Sequence, residues 1–167
     1  SLTLAIVATV ALAIDQADRM RHLLQERFPH RELPSLAFHG GLNLEQRQAV
    51  WRAIRNGVQP VLFTSPENAT GSLRDLIEQS AAEGRLDHVI IDEAHLVVGW
   101  GNGFRPAFQL LPALVRAIRE RACTKAVRVV LASATLTAST TDTLRRLFGA
   151  PEKTYVVAAI HLRPEPR

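Results

Sequence analysis

The chain has 167 residues, 47% of them hydrophobic and 22% charged, with a formal net charge of +4. That length and balance describe one globular domain with a real core, and exclude two comfortable domains, a disordered chain or a disulfide scaffold. The basic excess admits a polyanionic partner without requiring one, and only Lys125 and Lys153 of the 20 basic residues are lysines.

Residues 2–14 are apolar enough to raise the question of a signal or membrane segment. They are too short to cross a bilayer, which takes about 20 residues, and no basic flank precedes them. We read residues 4–9 as a buried strand. Ile14, Ala17, Leu24 and Phe28 then recur at helical spacing, and Pro29 ends that helix. A domain that opens so abruptly on a core strand is expected to have a cut edge there. Residues 35–38 read as a short second strand, followed by the turn His39-Gly40-Gly41. Asn43 and Gln46 have capping-box spacing. Leu44, Trp51, Ile54 and Val58 form the expected inner stripe of the next helix, closed by Asn56-Gly57, so Trp51 is read as core rather than as a ligand platform.

Residues 60–63 read as a third strand, with Thr64-Ser65-Pro66-Glu67 after it. Ser72 with Asp75 is expected to start a helix that carries Leu73, Leu76 and Ile77 inward and stops at Gly84. The fourth strand, residues 88–91, runs straight into Asp92-Glu93-Ala94-His95. A short, fully apolar run of this kind reads as a strand buried on both faces of a parallel sheet. The two acids then fall just past its carboxyl end, where open α/β sheets place ligand sites. Adjacent carboxylates suit one group that holds Mg²⁺ and one that takes a proton from water. A helix N-terminus with acids in its first turn is the plain alternative.

A glycine-rich loop, residues 99–103, leads to Phe104, Arg105 and Pro106, with Pro106 suited to the first position of a helix. Leu110, Leu111, Leu114, Val115 and Ile118 are expected inward on that helix. The single cysteine, Cys123, can form no internal disulfide and is read as inert, which points to the cytoplasm. Residues 127–131 read as a fifth strand, followed by Ser133-Ala134-Thr135. Ser139 with Asp142 is expected to open a helix bearing Leu144, Leu147 and Phe148, stopped by Gly149, and residues 155–159 read as a sixth strand. Strands alternating with helices at these spacings predict an α/β fold, a mainly parallel sheet with helices on both faces.

The polar segments after the strands, taken in order, resemble the first motor domain of superfamily 2 helicases, and within them the RecQ-like DNA helicases. Asp92-Glu93-Ala94-His95 looks like the DEAH box, motif II, and Ser133-Ala134-Thr135 like motif III. Thr64-Ser65-Pro66-Glu67 is similar to motif Ib. Thr9 lies where motif Ia should be, although Ala8 stands where many members carry proline. Trp100-Gly101-Asn102-Gly103-Phe104-Arg105-Pro106 resembles the aromatic-rich loop of RecQ-like enzymes, with Asn102 and Gly103 in place of its usual histidine and acid. Leu162-Arg163-Pro164-Glu165 looks like the lead into a second motor domain. A fainter similarity, around residues 9–16, points to helicase-like proteins of bacterial deazaguanine DNA-modification clusters.

The resemblance implies a RecA-like three-layer sandwich, ATP and Mg²⁺ as cofactors, and DNA, single strand or duplex junction, as partner. It implies that Asp92 holds the metal, Glu93 activates the hydrolytic water, and His95 couples that site to Ser133, Ala134 and Thr135. Thr9, Thr64 and Ser65 would meet the DNA backbone, and Trp100, Phe104 and Arg105 would serve the DNA through the aromatic loop. Each has a plain alternative: the hydroxyls as helix caps, the aromatics as edge packing, Arg105 as the partner of an acid. No Gly-Lys-Ser/Thr occurs, since Lys125 precedes Ala126 and Lys153 follows Glu152, so the phosphate-gripping loop is absent from these residues. The expected organisation is therefore a partial RecA-like domain over residues 1–160 and the start of a hinge over 161–167, with a second RecA-like domain in cis missing. The competing readings are a non-catalytic DNA- or protein-binding module with the same fold, and a metal nuclease built on Asp92 and Glu93.

Overall fold

Five strands form one parallel sheet, in the order β2-β3-β1-β4-β5, in a computed structural model that describes residues 1–30, 32–99, 105–122, 125–149 and 154–157. They are β1 (Leu2–Ile6), β2 (Ala37–Phe38), β3 (Val61–Thr64), β4 (Leu86–Ile91) and β5 (Arg128–Leu131). Around them lie α1 (Val10–Arg27), α2 (Leu44–Arg55), α3 (Pro66–Thr70), α4 (Arg74–Ala82), α5 (Pro106–Gln109), α6 (Leu111–Arg121) and α7 (Ala138–Phe148). This is the α/β, RecA-like arrangement expected, with every pairing parallel.

Alternation along the strands divides the core in two. Leu4, Ile6, Leu62, Val89 and Ile91 face α2 to α7. Ala5, Val7, Val61 and Phe63 face α1, which seals its side with Ala13 and Ala17, residues small enough for close approach to the sheet. The two helical layers are thus unequal. On the α1 side, Ile90 of β4 packs against this cluster and is only partly buried, and Val130 of β5 is 46% exposed.

Local chemistry explains most helix ends. Asn43 and Gln46 form the expected capping box, exchanging backbone hydrogen bonds of 2.9 Å in each direction. Gly84 stops α4 with φ +68, a left-handed conformation that costs glycine nothing. Trp51 packs toward the core, its ring 6.3 Å from that of Phe38.

Other expectations need correction. The cap of α7 is Thr137, which accepts from Thr140 N–H, rather than Ser139, and α4 has Leu73 rather than Ser72 at its cap. The segment after β3 forms the short helix α3, capped by Ser65 with Pro66 first, as the helix-cap alternative for that hydroxyl allowed. The helix from Pro106 breaks at Leu110, because Pro112 has no N–H for the Phe108 carbonyl. Leu44, Val58, Leu110 and Leu147 are exposed rather than inward, and so are Ile14 and Phe28. The sixth strand, expected over residues 155–159, is absent from its described part, where Tyr155 is 92% exposed. β-branched residues form a strand only where a neighbour takes their backbone hydrogen bonds.

Candidate functional site

Parallel pairing brings the carboxyl ends of the strands to one rim. Val7 N–H donates to Thr64 O, Asp92 N–H to Ile6 O and Ala132 N–H to Ile91 O, each at 2.9 Å. Residues far apart in sequence therefore leave the sheet side by side, in the order β3, β1, β4, β5.

The acids after β4 are held by their own backbone. Asp92 Oδ1 accepts the Glu93 N–H at 2.9 Å. Glu93 has φ +49 and is the non-glycine residue of positive φ among those described. A left-handed conformation at such a residue costs roughly 1–3 kcal/mol and concentrates at functional sites. The chain then tightens into a 3-10 turn, Ala94–Val97, whose first N–H donates to Ala132 O at 2.9 Å. That bond ties the acid-bearing turn directly to the end of β5.

Side chains add a second tie. His95 Nδ1 lies 2.9 Å from Ser133 Oγ and 3.2 Å from Glu93 Oε2. We assign the proton to Nδ1, because N–H there donates to both oxygens, whereas a bare nitrogen would face the carboxylate lone pairs. Ser133 Oγ also accepts the Thr135 N–H at 3.3 Å. Asp92, Glu93, His95, Ser133 and Thr135 thus share one end of two neighbouring strands. Asp92 and Glu93 are half-buried, and Ala134 and Thr135 are exposed. Asp92 is a carboxylate that could serve a divalent cation here, since Mg²⁺ takes one or two carboxylates and completes its shell with water and phosphate oxygens. No group of three or more His, Cys, Asp and Glu residues gathers into a cation cage among the described residues.

The other predicted contacts divide. Thr9 is exposed at the end of β1 and its hydroxyl caps α1, accepting from Leu12 N–H at 3.1 Å. Ser65 is buried and caps α3. Thr64 is 0% exposed and donates its hydroxyl to Phe38 O at 2.8 Å. Its hydroxyl holds β3 to β2 and is not available to a ligand, which corrects the expectation of a backbone contact there. Arg105 turns inward along the rim: it donates to Ala8 O and pairs with Glu67 at 2.6 Å. The reading of Arg105 as a phosphate contact gives way to the plain alternative, an acid partner. Sequence reasoning missed that partner, because nothing local marks Glu67 for a residue so distant. Trp100 and Phe104 lie outside the described residues, as do Cys123 and residues 158–167.

Comparison with known proteins adds three findings. Residues 1–144 match the family model described as DEAD/DEAH box helicase. The chain is 31% identical over 118 residues to the ATP-dependent DNA helicase RecQ of Synechocystis sp., covering 70% of this chain and 23% of that protein. The corresponding figures for the RecQ of Haemophilus influenzae are 31% over 114 residues, 68% and 16%. The chain therefore spans less than a quarter of either relative. Among solved structures, the DUF1998 helicase MrfA bound to DNA superposes with a TM-score of 0.61 at 20% identity, over 89% of this chain and 20% of that one. The likeness to MrfA bears on the fold.

Proposed function

This chain belongs to the DEAD/DEAH box helicase family, and we propose that it forms part of the first motor domain of a RecQ-like, ATP-dependent DNA helicase or translocase. The observation that carries this reading is the bridge from Glu93 through His95 to Ser133, which joins the ends of β4 and β5. A motor needs such a link, because hydrolysis at one strand end has to be felt by its neighbour.

In this reading Asp92 holds Mg²⁺, with water and the nucleotide phosphates as the remaining ligands. When bound, the ion neutralises charge on the phosphoryl group being transferred. Glu93 orients a water and accepts its proton, its carboxylate lying 3.2 Å from His95 Nδ1. His95 reads the state of Glu93 and passes it to Ser133, Ala134 and Thr135. Thr9, exposed at the end of β1, offers a contact to the DNA backbone, and Trp100 and Phe104 would offer faces for stacking, whereas the Ser65 hydroxyl is buried in the α3 cap.

The phosphate-gripping Gly-Lys-Ser/Thr is missing from these 167 residues. Among the described residues β5 is an edge strand with Val130 46% exposed, which would suit a further strand and helix, since parallel sheets are stable when both faces are covered. Residues 1–160 then form part of that domain, residues 161–167 begin the hinge, and a second RecA-like domain completes the nucleotide cleft in the cytoplasm. The isolated chain is expected to turn over no ATP, with or without DNA.

The test is ATP hydrolysis by the full-length protein that carries this chain. Glu93→Gln should lower turnover at least about a hundredfold, the usual loss of a general base. The absence of the Gly-Lys-Ser/Thr loop favours a second reading, a non-catalytic binding module. That reading holds if Glu93→Gln leaves every activity of the protein unchanged.

A further inference from the structure

Arg105 spans three parts of the rim at once. One arm of its guanidinium donates to the carbonyl of Ala8, the residue just before the α1 cap. The other arm meets Glu67 Oε1 at 2.6 Å, on the first turn of α3. Its planar face lies 5.7 Å from the centre of the Phe108 ring, and Phe108 is fully buried in α5. A lysine could not make this set, because one ammonium lacks the fork that serves two acceptors and the flat face that stacks.

Glu67 is prepared for its side of the pair. Burial, the largest single effect, pushes its carboxyl up, but the Ser65 hydroxyl, its own backbone N–H and the Arg105 guanidinium outweigh that and hold it below its ordinary range. Both side chains remain partly exposed, 51% for Glu67 and 34% for Arg105. A pair so wetted adds little to folding stability. Its value lies in what it connects. α5 packs on α3 and also on the 3-10 turn that carries His95. Arg105 and α5 thus connect the rim segments after β1 and β3 to the turn beside Glu93.

We propose that Glu67 is a positioning residue for DNA-dependent turnover, holding the Arg105 guanidinium against Ala8 so that the rim segments after β1 and β3 move together with α5. This rests on the motor reading given above and deepens it. Glu67 touches neither nucleotide nor the reacting atoms; it acts through Arg105.

The experiment measures ATP turnover of the full-length protein against the concentration of single-stranded DNA. Glu67→Ala should leave DNA-free turnover, the KM for ATP and the half-saturating DNA concentration unchanged. Its DNA-saturated rate should fall about three- to thirtyfold, the range of a broken coupling link. Glu67→Arg should be at least as impaired, because it sets two guanidinium groups against each other, whereas Glu67→Asp, which keeps the carboxylate, should retain part of the rate. A normal DNA-saturated rate in Glu67→Ala would overturn the proposal. So would an equal fall in DNA-free turnover, or a normal DNA-saturated rate in Glu67→Arg. A wild-type protein that hydrolyses no ATP, or ignores DNA, would instead overturn the motor reading.

Discussion

His95 Nδ1 lies 2.9 Å from Ser133 Oγ, although 38 residues separate them in the chain. The contact exists because β4 and β5 are parallel neighbours whose register sets Ile91 opposite Leu131. Ser133→Ala removes the contact with this half-exposed histidine together with the longer bond from Thr135 N–H, for a loss of about 0.5–1.5 kcal/mol. Urea denaturation of the 167-residue chain checks this, and no change in midpoint would mean that the bond is not formed in solution.

Glu93 offers a test with opposite signs. Its φ of +49 is relaxed by glycine. Glu93→Gly should stabilise the chain by up to about 1 kcal/mol, because the left-handed penalty disappears. The same change should abolish ATP turnover in the full-length protein. A lower melting temperature for the glycine variant would show that the carboxylate contact with His95 outweighs the strain.

Acid should weaken the chain through Asp87 and Glu67. Lys125 donates to Asp87 at 2.7 Å, tying the start of β4 to the chain entering β5, and holds its carboxyl below the ordinary 3.8. A depressed carboxyl stabilises the fold above its unfolded value, and the contribution disappears as pH falls through the folded value. Urea midpoints at neutral pH and below 3.8 should therefore differ less in Asp87→Asn than in wild type. Equal acid sensitivity would show that other carboxylates dominate.

Val130 tests whether the sheet is covered in a longer protein. It stands 46% exposed on β5 among the described residues. Val130→Asp should change the stability of the 167-residue chain by less than about 0.5 kcal/mol, as surface changes do. In the full-length protein the same charge would be buried without a partner, a loss of roughly 3–5 kcal/mol. Equal effects in the two contexts would mean that nothing packs there.

Much was legible in the amino-acid order alone. Apolar runs located five strands, the Asn43–Gln46 box and the glycine stops placed helix ends, and the succession of polar segments identified the rim and the family. These signals are local: side-chain periodicity and capping act within a turn or two of backbone. Tertiary structure decided whatever depends on a distant partner. It buried the Thr64 hydroxyl against Phe38, turned Arg105 toward Glu67, left residues 155–157 outside the strands of the described residues, and forced Glu93 into a left-handed backbone. Residue types state what a side chain can bond; only the packed sheet determines which groups come within reach, because hydrogen bonds and ion pairs act over a few ångströms while the residues that make them lie tens of positions apart.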